Sequence, residues 1–276
     1  MPSVSGLSAL TTRYDALLLD LWGVVHDGSQ LYPGVHDTLV ALRKSGNKII
    51  MISNAPRRAN VVEGVLNRLG IEKPLYDGVI SSGEAGYAWL AAGKAPWGKK
   101  YFYIGPNKDL GVLGGLDFVQ VQSLSQADFV LNVGFGEDNR PMEETLPVLR
   151  EAKEKNLPML CLNPDLLVIK MNGERHPCAG ALAKEYEALG GKVTWFGKPY
   201  AAVYDAAMTW LGNIPKQKIL AVGDSLETDI PGAQNYGIDS LLITGGILKG
   251  DSEAEIAAEC AKMKLIPTYI LPAFRL

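Results

Sequence analysis

Short unbroken runs of apolar residues, each followed by polar residues or glycine, recur along the chain. The first run, residues 16–19, leads directly into Asp20, and a later one, residues 49–52, leads into Ser53 and Asn54. Runs of this length between turn-forming residues are typical of strands buried on both faces of a parallel sheet. The pattern therefore predicts two β-strands that each carry polar side chains at the carboxyl end.

Stretches with helical periodicity alternate with these strands. The pattern predicts helices over residues 35–45, 57–69, 84–92, 142–155, 180–189 and 201–211, and from 229. It predicts further strands over residues 77–80, 101–104, 129–133, 159–162, 193–196, 219–222 and 240–243. Regular alternation of strands and helices is typical of βαβ units, so we expect an α/β fold with parallel sheets.

The order of these elements predicts two domains. The pattern restarts at about Ser82, and the first pattern resumes after Gly190 and Gly191. We predict a Rossmann-like α/β core formed by residues 1–82 and 191–276, with a smaller α/β cap domain, residues 83–190, inserted between its halves. A chain of 276 residues is long enough for both.

Composition excludes several classes of partner. The formal net charge of −3 argues against nucleic acid, since binding to a phosphate backbone usually needs a basic excess. No apolar run approaches the ~18 residues of a membrane span. Three cysteines form no disulfide framework, and the first residues lack a secretory pattern, so we expect a cytoplasmic protein.

Polar residues follow several of the predicted core strands. They are Asp20, Ser53, Lys198, Asp224 and Asp229. Because the carboxyl ends of parallel strands share one edge of a sheet, we expect these side chains to converge. Carboxylates suit Mg²⁺, lysine and serine suit phosphate oxygens, and an aspartate can attack a phosphoryl group. These are the parts that phosphoryl transfer requires.

The order and spacing of these residues resemble the haloacid dehalogenase superfamily of phosphatases. The matching motifs are Asp20 with Gly23, Ser53-Asn54, Gly197-Lys198-Pro199, and Gly223-Asp224 followed by Asp229. The large insertion lies between the second and third motifs, which is similar to class IIA of that superfamily. This class contains 4-nitrophenyl phosphatases and sugar or nucleotide phosphatases, and the resemblance extends over nearly the whole chain.

The resemblance implies a Mg²⁺ site and a nucleophile. Asp20 would be the nucleophile and a metal ligand, with the backbone carbonyl of Trp22 and the side chain of Asp224 as further ligands. Asp229 would hold the metal's waters or orient Lys198. Lys198 would neutralise charge between Asp20 and the phosphate.

The resemblance also implies how the substrate is bound. Ser53, Asn54 and Gly23 would bind the phosphoryl group, and Asn163 and Asp165 of a cap loop would contact the rest of a small phosphorylated metabolite. Related proteins are often dimers, so a homodimer through the cap is expected.

Position 22 departs from the family pattern. The family's usual general acid and base is an aspartate there, whereas this chain has Trp22, which cannot exchange a proton at neutral pH. His26 or Asp27 could replace it, although we favour a role for both in hydrogen bonds of the loop over residues 23–34. Two hypotheses stay open: a Mg²⁺-dependent phosphatase with slow turnover, and a catalytically weak protein that binds a phosphorylated metabolite as a sensor or partner module.

Overall fold

The computed structural model describes residues 6–136, 142–169 and 171–276. Its strands are β1 (Ala16–Asp20), β2 (Lys48–Ser53), β3 (Gly78–Ser81), β4 (Lys100–Ile104), β5 (Val119–Val121), β6 (Phe129–Asn132), β7 (Met159–Cys161), β8 (Leu167–Ile169), β9 (Arg175–Pro177), β10 (Val193–Trp195), β11 (Ile219–Gly223), β12 (Asp239–Ile243) and β13 (Tyr269–Leu271). Its helices are α1 (Val35–Lys44), α2 (Ala59–Arg68), α3 (Ser82–Ala91), α4 (Met142–Glu154), α5 (Ala179–Ala188), α6 (Ala201–Leu211), α7 (Asp229–Tyr236) and α8 (Glu253–Met263). The predicted α/β fold is confirmed.

The larger sheet has six parallel strands in the order β13-β12-β11-β1-β2-β3. Strand β1 is central, and its side chains alternate between two hydrophobic clusters: Leu17 and Leu19 face one, and Leu18 faces the other. Burial of each such leucine contributes about 1.5–3 kcal/mol, which accounts for the unbroken apolar run. The chain leaves β1 toward β2 on one side and returns through β11 on the other, so a cleft opens at the carboxyl end of β1.

The smaller sheet has five parallel strands in the order β10-β7-β6-β4-β5. Strands β8 and β9 form a separate antiparallel hairpin that the apolar pattern did not predict. This hairpin and the smaller sheet form the inserted unit, which we call the cap.

Strand β10 differs from the prediction. We expected residues 193–196 to belong to the core, but Val193 pairs with Met159 and Trp195 pairs with Cys161 in the smaller sheet. The reason is connectivity: α5 directly precedes β10, and a strand that follows a crossover helix usually pairs with a neighbouring strand of the same unit. We therefore place the second boundary near Phe196 instead of residue 191.

The two connections between core and cap lie side by side. The Ser82 hydroxyl, at the start of α3, donates a hydrogen bond to the Phe196 carbonyl where the chain returns. An ion pair between Arg57 of the core and Asp109 of the cap adds a contact at 2.5 Å. Among the helices of the described ranges, none is long and apolar enough to cross a membrane.

Candidate active site

Three carboxylates meet at the carboxyl end of the core sheet. Asp20 ends β1, Asp224 follows β11, and Asp229 begins α7. An oxygen from each lies within 4.8 Å of an oxygen from the other two, and all three residues are buried. Burial and the neighbouring charges of Asp229 and Asp224 raise the pKa of Asp20 well above its usual range, against the opposing effect of Lys198. Without a further cation, these three carboxyl groups therefore resist carrying three negative charges at once.

Lys198 is the buried cation of this cluster. Its ammonium group donates a hydrogen bond to Asp20 Oδ1 and lies 2.8 Å from Asp229 Oδ1. Burial works against its charge, but Asp20, Asp229 and Asp165 together raise its pKa above the ordinary value. Lys198 is thus a fixed positive charge beside the predicted nucleophile.

Close backbone approach holds Asp224 in place. A Cβ on Gly23, where φ is +85°, would lie 1.8 Å from Asp224 Oδ2, and one on Gly246 would lie 2.0 Å from it. The Ile247 N–H donates to the same oxygen at 2.7 Å. Burial, with Asp229 adding to it, raises the pKa of Asp224 to about 8. These contacts require glycine at position 23.

The structure gives Gly23 a different role from the predicted one. Its N–H donates to the His26 carbonyl at 3.0 Å, so it is not directed at a phosphate. Gly23 is also the one predicted site residue that does not line the central cavity. Its contribution is the space that it leaves for Asp224.

Ser53 ends β2, Asn54 follows it, and both line the same cavity as Asp20. The Ser53 hydroxyl accepts a hydrogen bond from the Ala55 N–H at 3.2 Å, which leaves its own proton for a ligand. The Asn54 side chain accepts from the Lys198 N–H at 2.7 Å and donates to Asp165 Oδ1 at 2.8 Å. Asn54 therefore positions Lys198 and links the core to the cap.

The cap loop over residues 163–165 faces the core carboxylates. Asn163 Oδ1 accepts from the Asp165 N–H at 3.1 Å, an Asx turn that presents the Asp165 carboxylate to Asn54. Burial raises the pKa of Asp165 to about 6, although Lys198 and Asn54 oppose the shift. Both cap residues line the central cavity, where the prediction put them.

The Trp22 side chain connects the core to the cap hairpin. Its indole N–H donates to the Ile169 carbonyl at 3.0 Å, and its ring packs against Gly28, where φ is +90° and a Cβ would lie 2.5 Å from the ring. The backbone carbonyl of Trp22 accepts no hydrogen bond from the described residues, so it is available as a metal ligand. The contact with Ile169 was not predicted, because no strand was assigned to residues 167–169 from the sequence.

His26 and Asp27 are occupied by hydrogen bonds within their loop and with the cap. His26 Nδ1 accepts from the Gly28 N–H, and burial lowers the pKa of His26 to about 4, so the imidazole is neutral at pH 7. Asp27 accepts from Ser29, Gln30 and Met171; despite partial burial, these bonds lower its pKa to about 2. Neither side chain lines the central cavity, which favours the structural role for both.

Asp27→Asn should destabilise the protein in a pH-dependent way. Because the folded pKa of Asp27 is depressed, its charge stabilises the fold above the unfolded pKa of about 3.9, and this contribution is lost as the pH falls toward 2. We expect a loss of about 2 kcal/mol at pH 7, within the range for hydrogen bonds to a charged group, and almost none near pH 2. Urea unfolding of both proteins across this range measures it. A constant difference at every pH would contradict the assignment.

The central cavity has a volume of 370 Å³ and lies between core and cap. Apart from Gly23, every predicted site residue lines it, so the structure brings these residues together. Sequence reasoning missed Arg57, Lys108 and Asp109. Arg57 lies a few residues after the Ser53-Asn54 motif, and this short spacing could have indicated that it reaches the same site. Lys108 and Asp109 lie in a cap turn without a recognisable motif.

The carboxylate cluster suits a divalent cation. Three buried carboxylates face one lysine, which leaves negative charge uncompensated, and the donors are hard oxygen atoms of the kind that Mg²⁺ and Ca²⁺ prefer. Asp20, Asp224 and Asp229 are the one group of His, Cys, Asp and Glu side chains in the described ranges that could hold a metal.

A capped α/β sheet with a nucleophile, a lysine and a carboxylate cluster at its carboxyl edge defines a class of hydrolase. The family model for haloacid dehalogenase-like hydrolases matches residues 17–119, and a second model, for haloacid dehalogenase hydrolase-like proteins, matches residues 195–274. A haloacid dehalogenase-like hydrolase from Brucella suis is 33% identical, with a TM-score of 0.86 and 99% of each chain covered. The chain belongs to the haloacid dehalogenase superfamily.

Two further relatives are named phosphatases. A 4-nitrophenylphosphatase from Schizosaccharomyces pombe is 27% identical over 93% of this chain and 91% of its own length. A glycerol phosphate phosphatase from Mycobacterium tuberculosis is 25% identical, with a TM-score of 0.70, over 96% of this chain and 76% of its own; it was solved with magnesium and also with calcium. The predicted family and enzyme class, a capped phosphatase of this superfamily, are confirmed.

Proposed function

We propose that this protein hydrolyses small phosphate monoesters with the help of a bound divalent cation, Mg²⁺ in the cell. One observation supports the proposal most strongly: three carboxylates and Lys198 line one cavity beside Ser53. The carboxylates are those of Asp20, Asp224 and Asp229. The relatives named phosphatases support the reaction class, and they favour an enzyme over the alternative of a sensor protein.

Asp20 attacks the phosphorus atom of the ester. A bond forms between a carboxylate oxygen of Asp20 and phosphorus, the bond from phosphorus to the ester oxygen breaks, and the alcohol leaves with a proton from water. Water then attacks the aspartyl-phosphate, which releases phosphate and regenerates Asp20. Ser53 donates a hydrogen bond to a phosphoryl oxygen, and Lys198 offsets the negative charge that Asp20 and the phosphate bring together.

Asp20, Asp224 and the Trp22 carbonyl would hold the cation, with Asp229 ligating it through water or orienting Lys198. When bound, the cation offsets phosphoryl charge and lets the anionic ester approach a carboxylate. The cap loop with Asn163 and Asp165 contacts the leaving group and helps to exclude water from the cavity.

Trp22 makes turnover slow in this proposal. The indole N–H is used in the bond to Ile169 and has no acidity at neutral pH. His26 is neutral and Asp27 is ionised, and both are turned to other partners. Protonation of the leaving oxygen and activation of water therefore depend on solvent.

Removal of divalent cations should abolish hydrolysis. With 4-nitrophenyl phosphate as substrate, EDTA should reduce the rate to background, and excess Mg²⁺ should restore it. Asp224→Asn should need a higher Mg²⁺ concentration for half-maximal rate, because it loses one charged ligand, whereas Asp251→Asn on the exposed surface should not. A rate that is unaffected by EDTA would contradict the metal site.

A homodimer through the cap and a cytoplasmic location remain part of the proposal. Gel filtration with light scattering tests the dimer.

A further inference from the structure

A second cavity, of 560 Å³, adjoins the central one. The two share Trp22, Ser53, Ala55, Arg57 and Lys108 as common wall. The shared residues Ser53, Ala55 and Arg57 lie on one short stretch that begins at the end of β2. A ligand held at Ser53 therefore has direct access to both cavities. We call the second cavity the basic basin, because two arginines and a lysine line it.

Positive charge dominates the basic basin. Arg57, Arg68 and Lys108 line it, and Asp27 is the one acidic residue among its described lining residues. The carboxylate of Asp27 is already satisfied by N–H and hydroxyl groups of its own loop and of the cap. It is therefore not available to pair with the three cations.

These cations have few partners of their own. Arg57 Nε donates to Asp109 at 2.5 Å, but its two terminal amino groups make no hydrogen bond to the described residues. The exposed side chains of Arg68 and Lys108 form no ion pair within the described ranges. Two guanidinium groups and an ammonium group thus line one cavity with unused donors, a set suited to carboxylate or phosphate oxygens.

The walls between these charges are apolar. Leu21, Val62, Val65 and Leu69 line the basin, and the Trp22 ring stands at the border with the central cavity. A short carbon skeleton can pack on these walls while an anionic group at its end reaches the cations.

We propose that the basic basin is a subsite for a second anionic group, a carboxylate or a phosphate, carried by the leaving group of the substrate. This inference rests on the proposed phosphatase function and narrows its substrates to phosphate esters with two anionic groups. The phosphoryl group lies between Asp20 and Ser53, and the second anion lies between Lys108, Arg57 and Arg68.

Paired aryl phosphates test the subsite directly. 4-Carboxyphenyl phosphate and 4-carbamoylphenyl phosphate have nearly the same shape and differ in one negative charge. We expect a KM about tenfold lower for the carboxylate, the usual effect of one charge-assisted contact. 1,4-Phenylene bisphosphate, compared with the same carbamoyl ester, tests a phosphate in place of the carboxylate. Both preferences should shrink as ionic strength rises, because the basin is open to solvent.

The double variant Arg68→Met, Lys108→Met should bring the ratio of the two KM values close to one. Lys44→Met, an exposed lysine at the end of α1 that lines neither cavity, should keep the wild-type ratio. Hydrolysis of all these esters with equal KM, or a preference that survives the double variant, would overturn the subsite alone. No hydrolysis of any of them with Mg²⁺, nor of 4-nitrophenyl phosphate, would overturn the proposed function and the subsite with it.

Discussion

Asp20→Asn should reduce hydrolysis of 4-nitrophenyl phosphate by on the order of 10⁴-fold or more, because an amide cannot act as the nucleophile. The change is nearly isosteric, and Lys198 keeps its ion pair with Asp229 at 2.8 Å, so the variant should fold. Steady-state kinetics measures the loss, and circular dichroism checks the fold.

Two control variants separate the nucleophile from a mere metal ligand. Excess Mg²⁺ should partly rescue Asp224→Asn but should leave Asp20→Asn inactive. Asp251→Asn, on the exposed surface before α8, should retain the wild-type rate. An Asp20→Asn variant that retains a tenth of the activity would show that another group attacks phosphorus.

Position 22 should produce the second largest effect. General acid–base catalysis typically contributes ~10²–10⁴-fold, and Trp22 cannot supply it. An aryl leaving group departs without protonation, whereas an alkyl alcohol needs a proton, so alkyl phosphates should react slower than aryl phosphates by about this factor. Hydrolysis of the aspartyl-phosphate has no general base, whichever substrate formed it, so this second step is slow. Aryl phosphates should therefore give a burst of phenol before a slow steady state. Rapid-quench kinetics measures both.

Variants at this position test the explanation. Trp22→Asp should raise the steady-state rate and reduce the burst, even though it loses the bond to the Ile169 carbonyl. Trp22→Phe loses the same bond and adds no acid, so it controls for the effect on the cap. Wild-type protein that hydrolyses alkyl and aryl phosphates equally fast, without a burst, would show that another residue acts as the acid.

The sequence predicted five of the six core strands because these are buried on both faces, but it did not predict the edge strand β13. The apolar runs before Asp20 and Ser53 must be buried, and few folds other than a parallel sheet with both faces covered would bury them. The cap was less predictable. Strand β5 alternates valine with glutamine, and β9 contains Arg175 and His176, so neither forms an apolar run. Strand β8 does lie in a short apolar run, residues 166–169, which we did not assign as a strand. Strand β10 was predicted as a strand but assigned to the wrong sheet, since three half-buried residues do not specify a partner.

The site residues likewise differ in how well the sequence predicted them. The carboxylates and Lys198 lie at or near the ends of strands or the starts of helices, so both their sequence motifs and their positions in the fold indicated them. Arg57 and Lys108 come from a loop and a cap turn, and only the packing of cap on core brings them to one cavity. Gly23 was predicted to contact the phosphoryl group, but it approaches Asp224, and nothing in the sequence indicates that close approach.

Detection of the phosphorylated enzyme tests the central claim most directly. Wild-type protein mixed with Mg²⁺ and excess 4-nitrophenyl phosphate, quenched in acid during the steady state, should carry one phosphoryl group on the peptide that contains Asp20, as mass spectrometry of the digest would show. Because water attacks this intermediate without a general base, a large fraction of the enzyme should be labelled. Hydrolysis without any label, or a label on another residue while Asp20→Asn stays active, would contradict the account.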